Sequence, residues 1–385
     1  MDLRGKRVVI ANWRDLDHSL AGGAERYAWE LARALRDAGA RVDFLTAREA
    51  GQSRQDVKEG VRVVRRGGRL SYYLLGGLWL LLNRRSIDAV ADMESGIPMF
   101  SPLLVSRRRT GVMLVLHHVH QDQFGVYFPR PVAWFGRFLE GSVMPRVYRG
   151  LCTVAVSEST RQAMVERLGW SEPITLLHNG NARPMPVSSV AEDTVDRVVV
   201  LGRLSSHKRV DLVVRAVAAL QASRPGLHLD IIGRGPEREP LEQLVHDLEI
   251  EKHVTFHGFV SEETKAAVLS RSRLHVCASD VEGWGQVVVE AAAYGVPTVA
   301  RDVPGLRDSV RQESTGWLIP EPVTDLAAVQ AHLLVGIENA LQELEDPERR
   351  NEISAACRGW AAQFDWESMR ASAIALVANT MKGAS

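Results

Sequence analysis

Cysteine is scarce in this sequence. The 385 residues contain three cysteines, Cys152, Cys277 and Cys357, which are odd in number and far apart. This pattern suits neither a disulfide framework nor a cysteine-based metal site, and it is typical of a reducing compartment. The N-terminal residues lack the apolar core of a secretory signal, because a short strand-like run follows them directly. We therefore expect a cytoplasmic protein.

The sequence has no apolar run long enough to cross a bilayer, which takes about 20 residues. One strongly apolar stretch, LSYYLLGGLWLLL at residues 70–82, is shorter and has arginines on both sides. We predict that this stretch forms a buried helix between two strands. A helix that lies at a membrane surface, with its arginines among the lipid headgroups, is the alternative.

The sequence also has no net charge, since 47 Lys and Arg balance 47 Asp and Glu. The balance is uneven along the chain, because residues 1–187 hold 27 basic and 18 acidic side chains. A basic N-terminal half can attract an anionic acceptor or a membrane surface. In the second case the protein would bind peripherally at the inner face of the membrane. Arginine used as an ordinary surface residue explains the excess equally well. We expect no nucleic-acid partner.

What the sequence does contain is a regular alternation of short apolar runs and amphipathic helical stretches. This alternation is typical of an α/β protein in which helices cover both faces of a parallel sheet. The predicted strands are residues 7–11, 41–46, 61–65, 87–91, 112–117 and 151–156, and then 197–201, 227–232, 253–256, 273–277 and 297–300.

The alternation weakens at residues 182–193, where prolines and serines indicate a linker. We therefore predict two doubly wound, Rossmann-like domains that face a cleft, residues 1–187 and 188–345. Ligands of such sheets bind at the C-terminal ends of the strands. The segment 346–385 is predicted to be helical and to pack back on the N-terminal domain.

A first chemical motif follows the strand predicted at residues 197–201. Gly202 and Arg203 begin a loop that reaches Lys208, just before an amphipathic helix. Backbone N–H groups and the helix dipole favour an anion at such a junction. Arg203 and Lys208 add two cations, which suits a pyrophosphate. Basic surface loops are common, however, so this motif alone is not specific.

Two glycine turns follow the next two predicted strands. Gly233 begins a Gly-Arg-Gly-Pro turn, and Gly258 ends the strand after it. A tight turn explains these glycines as well as a ligand does. The backbone around Gly258 is a candidate for contact with a nucleotide base.

The sharpest motif contains two glutamates, Glu282 and Glu290, with seven residues between them. Glu282 precedes Gly283, Trp284 and Gly285 in a loop. Glu290 lies inside an otherwise apolar helix that begins near Gly285, where an unpaired carboxylate is costly to bury. We therefore interpret Glu290 as a ligand of ribose hydroxyls, and the N–H groups of the helix start as ligands of phosphate.

In this order, the motifs resemble those of the E-x7-E glycosyltransferases of family 4, which have the GT-B fold and retain the anomeric configuration. The resemblance covers nearly the whole chain and includes Gly295-Val296-Pro297. It implies transfer of a sugar from a UDP- or GDP-linked donor to a hydroxyl of a saccharide, lipid-linked or natural-product acceptor, with no cofactor and no metal. Trp284 stands where the family often has phenylalanine.

The resemblance also implies roles for single residues. Arg203 and Lys208 would bind the donor pyrophosphate, Glu282 the transferred sugar and Glu290 the ribose. The implied catalytic residues are His117, Arg203, Lys208 and Glu282. The implied donor-binding residues are Gly22, Gly23, Arg203, Lys208, Gly233, Gly258, Glu282, Gly283, Trp284, Gly285 and Glu290.

The N-terminal half is expected to add a second phosphate loop. Gly22 and Gly23 precede the first helix and let a ligand approach the backbone, and the family has a similar Gly-Gly-x-Glu segment. Asp15 and Asp17 resemble a metal-binding D-x-D pair. We interpret that pair as a coincidence, because enzymes of the GT-B fold generally need no bound divalent ion.

Three histidines, His117, His118 and His120, end one predicted strand. Such a run suggests a metal site, but no cysteine or second cluster lies nearby in the sequence to complete it, so we expect no metal. The family places a histidine after this strand, near the donor sugar; His117 matches by position and His118 is the rival. His118, His120, Asp122 and Gln123 would then lie on the acceptor side.

Double displacement needs a nucleophilic carboxylate near the anomeric carbon, and none follows the His117 strand at the expected position. The resemblance instead implies same-face attack as the diphosphate departs. A nucleotide-sugar epimerase of the GT-B fold and a non-catalytic nucleotide-sugar-binding protein are the alternatives. A dehydrogenase is disfavoured, because G-x-G-x-x-G does not follow the first predicted strand.

Overall fold

The chain folds into two compact units, Met1–Gly180 with Trp366–Ser385, and Asn181–Asp365. The computed structural model describes residues 2–19, 21–69, 71–186, 196–320 and 325–383. The linker predicted at residues 182–193 lies outside the described residues from position 187 onward, as does the predicted domain boundary.

The first unit is built on an eight-stranded sheet. The strands are β1 (Arg7–Ala11), β2 (Arg41–Thr46), β3 (Gln55–Lys58), β4 (Val61–Arg65), β5 (Ala89–Glu94), β6 (Gly111–Leu116), β7 (Cys152–Ala155) and β8 (Ile174–Leu176). Their order in the sheet is β3-β4-β2-β1-β5-β6-β7-β8, and the pairing of β3 with β4 is antiparallel while the other pairings are parallel.

Helices connect these strands. They are α1 (Gly23–Asp37), α2 (Tyr72–Asn83), α3 (Gln123–Tyr127), α4 (Arg130–Phe138), α5 (Met144–Val147) and α6 (Glu158–Leu168). A π-helical turn, Leu139–Val143, joins α4 to α5. Such a turn carries one residue more than an α-turn and is frequently found at functional sites.

The second unit contains a six-stranded parallel sheet in the order β11-β10-β9-β12-β13-β14. Its strands are β9 (Arg197–Leu201), β10 (His228–Ile232), β11 (Val254–Gly258), β12 (Leu274–Cys277), β13 (Thr298–Arg301) and β14 (Gly316–Ile319). Its helices are α7 (Val210–Leu220), α8 (Arg238–Asp247), α9 (Glu262–Arg271), α10 (Gln286–Ala293), α11 (Leu306–Ser309), α12 (Leu326–Glu343) and α13 (Pro347–Ala361).

Both sheets have the topology of the Rossmann fold. Counted from its own first strand, the second sheet has the order 3-2-1-4-5-6, and the parallel part of the first sheet follows the same order with one further strand. The chain therefore reverses its winding direction between β1 and β5, and again between β9 and β12. Ligands of this fold bind at the C-terminal strand ends beside such a reversal, which is called the switch point.

The C-terminal segment 346–385 is divided between the units. Helix α13 packs on α10 in the second unit, whereas the last helix, α14 (Trp366–Gly383), packs on β6 and α1 in the first. The approach of α14 to β6 is close, since a Cβ atom on Gly111 would lie 2.4 Å from Thr380 Oγ1. An ion pair between Arg370 and Glu30 also ties α14 to α1.

Helix α2 is not the buried helix that its apolar sequence predicted. Tyr72, Gly76, Gly77 and Leu80 face the core, but Leu74 and Leu82 are each 75% exposed. The outward face continues through Leu75, Leu78 and Leu81. The prediction is wrong because the sheet covers only one side of this helix. Nowhere in the described ranges is a helix both long and apolar enough to cross a membrane.

Candidate functional site

The most distinctive group of charged residues lies at the switch point of the second unit. Strands β9 and β12 are neighbours there, with His275 aligned with Val199. The loop after β9 contains Arg203 and Lys208, and the loop after β12 contains Glu282. The topology thus brings together three of the four predicted catalytic residues, although they are far apart in the sequence.

Lys208 and Glu282 form an ion pair at this point. Ser279 Oγ donates a hydrogen bond to Glu282 Oε1 at 2.8 Å, which fixes the carboxylate from a second side. Burial alone would lower the pKa of Lys208, but the Glu282 carboxylate outweighs that effect, so the pKa lies above its ordinary value. Lys208 is therefore a cation at neutral pH.

A cavity opens at the same point, and Gly202, Arg203, Lys208, Cys277, Ser279 and Glu282 are among the residues that line it. Two cations, one carboxylate and one hydroxyl thus surround one cavity. Helix α7 begins at Val210, directly after a 3₁₀ turn that contains Lys208. The structure therefore confirms the predicted order of elements, in which a strand is followed by a glycine loop and then a helix.

The predicted glycines Gly202, Gly233 and Gly258 lie side by side at the ends of β9, β10 and β11. The Gly233 N–H donates to the Gly258 carbonyl at 2.9 Å, and the Gly202 N–H donates to the Ile232 carbonyl at 2.9 Å. A Cβ atom on Gly233 would lie 1.7 Å from the Gly202 oxygen. Close approach of the backbone therefore requires glycine here.

Glu290 lies in α10, as predicted, but its carboxylate is not unpaired. Lys265 Nζ of α9 lies 3.2 Å from Glu290 Oε2 and 2.8 Å from Glu262 Oε2. The lysine offsets part of the cost of half-burying Glu290. The role of Glu290 as a ribose ligand stays a prediction.

Trp284 and Gly285 have clear structural functions. The Trp284 ring is buried and meets the Phe364 ring edge to face, with 4.9 Å between their centroids. Gly285 is the N-cap of α10 and has a φ of +79°, a conformation that favours glycine. Gly283 connects Glu282 to this pair. Their donor-binding roles stay predictions.

In the first unit, Gly22 is the N-cap of α1 and Gly23 its first residue. The buried carboxylate of Glu25 accepts from the Gly22 N–H at 2.7 Å and pairs with Arg14 at 2.6 Å. One turn after Gly23, the Tyr27 ring meets the His117 ring edge to face, with 5.1 Å between the ring centroids. The glycine pair and the histidine run therefore lie close to one helix start.

His117 is buried, and burial lowers its pKa to about 4. Its carbonyl accepts a hydrogen bond from Thr160 Oγ1 at 2.9 Å. The ring is consequently neutral at pH 7. A neutral imidazole can accept or donate a proton through a hydrogen bond, whereas an imidazolium can only donate.

The predicted acceptor residues form one loop. The rings of His118 and His120 lie 3.8 Å apart, and His118 Nε2 lies 3.1 Å from Gln123 Oε1 at the start of α3. Asp122 is exposed and pairs with Arg167 of α6 at 2.9 Å. The structure therefore brings His118, His120 and Gln123 together, while Asp122 points to the surface.

Sequence reasoning missed two residues beside this loop, Glu94 at the end of β5 and Glu140 in the π-helical turn. His120 Nδ1 lies 3.2 Å from Glu94 Oε1 and 3.6 Å from Glu140 Oε1. The expectation of no metal rests on the lack of a cysteine or second cluster nearby in the sequence, whereas the fold brings two carboxylates to His120. Glu290 was identified because it is a lone glutamate in an apolar stretch. The same signal could have identified Glu140.

The aspartates of the D-x-D resemblance have protein partners. Asp15 pairs with the buried Arg65 at 2.7 Å, and Asp17 pairs with Arg65 at 3.2 Å and with Lys58 at 2.5 Å. These ion pairs join the loop after β1 to β3 and β4.

Comparison with known proteins identifies the class. The family model "Glycosyltransferase Family 4" matches residues 21–181, and "Glycosyl transferases group 1" matches residues 185–355. The GDP-mannose-dependent alpha-(1-6)-phosphatidylinositol monomannoside mannosyltransferase of Mycobacterium tuberculosis is 30% identical over 336 residues, which are 81% of this chain and 82% of the relative.

Two solved structures show the same fold. Sucrose-phosphate synthase from Thermosynechococcus elongatus superposes with a TM-score of 0.79 at 20% identity, over 99% of this chain and all of that one. Anabaena HepE in complex with UDP and glucose gives a TM-score of 0.71 at 18% identity, over 98% of this chain and all of that one. The chain belongs to the glycosyltransferases of family 4 and has the GT-B fold.

We predict that His117 stays neutral in the folded protein until the pH falls to about 4, because burial lowers its pKa. An unfolded histidine takes up its proton near pH 6.5. The stability that His117 contributes is therefore complete above pH 6.5 and is lost as the pH falls towards 4.

Imidazole nitrogen shifts in an NMR titration test this prediction. The exposed His246, whose pKa the neighbouring Glu251 raises, serves as the internal control. A His117 midpoint at or above that of an ordinary histidine would contradict it.

Proposed function

We propose that this protein transfers a sugar from a nucleoside diphosphate sugar to an acceptor hydroxyl, with retention of the anomeric configuration and without a catalytic metal. The observation that carries the proposal is the Lys208–Glu282 ion pair beside Arg203 at the switch point of the second unit. A Rossmann-like unit binds its ligand at this position, and the charges there match a diphosphate that carries a sugar.

The diphosphate needs positive charge, and most of all when it leaves. Lys208 is a half-buried cation, and Arg203 lines the same cavity. The start of α10, after Gly285, offers backbone N–H groups and the positive end of a helix dipole. These groups can take the place of a divalent cation. Chelators should accordingly leave turnover unchanged.

The carboxylates suit hydroxyl groups rather than phosphate. Glu282 lies in the cavity, where Lys208 and Ser279 fix its orientation, and it would accept hydrogen bonds from the transferred sugar. Glu290 would accept them from the ribose. Binding of a donor would let Lys208 exchange part of its contact with Glu282 for the phosphate oxygens.

The proposed reaction proceeds on one face of the sugar. The bond between the anomeric carbon and the phosphate oxygen breaks, and its electron pair leaves with the diphosphate. The acceptor oxygen then bonds to the anomeric carbon on the same face and passes its proton to the departing phosphate oxygen. Glu282 is engaged with Lys208, which supports a role in binding rather than as a nucleophile. His117, or its rival His118, would be the histidine near the transferred sugar at the reaction centre.

The relatives suggest which donors to test first. The M. tuberculosis relative is named for GDP-mannose, and the Anabaena structure contains UDP and glucose. We propose GDP-mannose as the first donor because that relative is more similar in sequence, and UDP-glucose as the second.

We predict that Lys208→Ala lowers turnover roughly a hundred- to a thousandfold, because loss of one fixed donor to a developing anion costs about 3–4 kcal/mol. Glu290→Gln should lower donor affinity instead, because an amide pairs less strongly with ribose hydroxyls. Release of nucleoside diphosphate at saturating donor measures the first effect, and titration of the donor measures the second.

Lys252→Ala is the matched control, because Lys252 is an exposed lysine of the same unit. It should turn over like the wild type. Wild-type turnover in Lys208→Ala would exclude the assignment of the diphosphate to this loop.

We further propose that the first unit contacts an anionic membrane, which implies a lipid-linked acceptor. Helix α2 exposes its leucine face, and α4 exposes Val132, Trp134, Phe135 and Phe138. The two regions are linked through one segment: Tyr73 of α2 donates to the Ile97 carbonyl, and Phe124 of α3, which lies against Gly136 of α4, also lies beside Gly96. The exposed arginines beside these faces are Arg69, Arg84, Arg85, Arg130 and Arg137.

Apolar side chains with arginines at their edges are typical of a helix that lies in the headgroup region. At about 1.5 Å per residue, the twelve residues of α2 extend about 18 Å, so the helix can lie on a bilayer but cannot cross one.

We predict that the double variant Leu74→Glu/Leu82→Glu binds vesicles containing phosphatidylglycerol at least tenfold more weakly than the wild type, because two exposed apolar side chains are lost and two negative charges gained. Co-sedimentation with vesicles measures the bound fraction. Pure phosphatidylcholine vesicles should bind the wild type more weakly than anionic ones.

Val335→Glu is the control, because Val335 is a similarly exposed apolar residue on α12 of the second unit. Equal binding of the double variant and the wild type would contradict the membrane assignment.

A further inference from the structure

We propose that Glu140 is a positioning residue, whose carboxylate acts with that of Glu94 to clamp His120 and so holds the loop of residues 117–123 in the shape that the acceptor requires. The inference rests on the proposed function, in which this loop serves the acceptor.

Glu140 fixes the loop through two short hydrogen bonds. Its Oε1 accepts from the His120 backbone N–H at 2.6 Å, and its Oε2 accepts from Gln121 Nε2 at 2.6 Å. Arg137, one turn earlier, donates from Nε to the Gln121 carbonyl at 2.8 Å. One buried carboxylate therefore holds both the main chain and a side chain of the loop.

The charges strengthen this clamp. The Glu94 and Glu140 side chains are fully buried, and His120 Nδ1 lies between them. Burial alone would lower the pKa of His120, but the two carboxylates raise it, and burial in turn raises the pKa of the Glu94 carboxyl. Two buried negative charges without a cation would be costly. The ring is thus held at one place between them.

The clamped residue directly contacts His118, one of the two candidate reaction-centre histidines. The His120 ring lies against the His118 ring, and His118 in turn meets Gln123. His117, three positions earlier, is held at its carbonyl by Thr160. A displacement of His120 would therefore displace the side chains predicted to face the acceptor.

The π-helical turn is what brings Glu140 to the loop. The helix before it, α4, packs closely on α3, which follows the loop, because a Cβ atom on Gly136 would lie 2.6 Å from the Phe124 ring. Glu140 is buried in this turn, whereas the neighbouring α4 exposes Trp134 and Phe138.

Steady-state kinetics of Glu140→Ala and Glu140→Gln test the proposal. We expect Glu140→Ala to lower kcat at saturating donor at least tenfold and to raise the KM for the acceptor. Glu140→Gln should retain part of the activity, because its amide oxygen can accept one of the two hydrogen bonds. The dissociation constant of GDP should stay within twofold, because the proposed nucleotide site lies in the second unit. Glu158→Gln, an exposed glutamate of α6, is the matched control.

Amide hydrogen exchange gives a readout that needs no activity. The His120 amide should exchange slowly in the wild type and in Glu158→Gln, and at least tenfold faster in Glu140→Ala, while amides of β6 keep their protection. If the wild type transfers no sugar but the His120 amide behaves in this way, the proposed function fails and the clamp stands.

Three results would overturn the proposal. The first is wild-type kinetics in Glu140→Ala, and the second is equal exchange of the His120 amide in that variant. The third is a stoichiometric divalent cation in the purified wild type that Glu140→Ala lacks, since the same three side chains would then be metal ligands and not an ion-pair clamp.

Discussion

The ion pair between Lys208 and Glu282 is the constraint around which the second unit is organised. Both side chains are largely removed from water, so each needs the other. The pairing requires that the loops after β9 and β12 meet, and they meet because the chain reverses its winding direction between these two strands. A cation and a carboxylate are thereby held ready for a ligand that carries phosphate at one end and hydroxyl groups at the other.

The first unit also has buried ionisable side chains that pair with one another, but the residues are different. Glu94 and Glu140 are buried, and His120 Nδ1 lies 3.2 Å from the Glu94 carboxylate and 3.6 Å from that of Glu140. This cluster again lies at the C-terminal ends of neighbouring strands, β5 and β6. Each Rossmann-like unit thus has one cluster of charged side chains at the edge of the sheet where this fold binds ligands. In the first unit, α2 and α4 also expose apolar side chains.

Much of the fold could be predicted from the sequence, because strands buried on both faces are continuous apolar runs. β3 and β8 were missed because their residues are exposed or half-buried, and β14 because only its ends are buried. The apolar composition of α2 also did not indicate which side of the helix the sheet would cover. In the second unit, Arg203, Lys208 and Glu282, which belong to local sequence motifs, line one cavity. The partners of His120 could not be found in this way, because Glu140 lies 20 positions away and only the fold brings it close.

Thermal unfolding of the full chain with a panel of nucleotide sugars tests the central claim most directly. A ligand at about 100 times its dissociation constant stabilises the folded state by about 2.7 kcal/mol. We predict that a GDP- or UDP-sugar raises the unfolding temperature of the wild type, that the matching free sugar does not, and that Lys208→Ala loses the shift. An equal shift in Lys208→Ala, or none with any diphosphate sugar, would contradict the account.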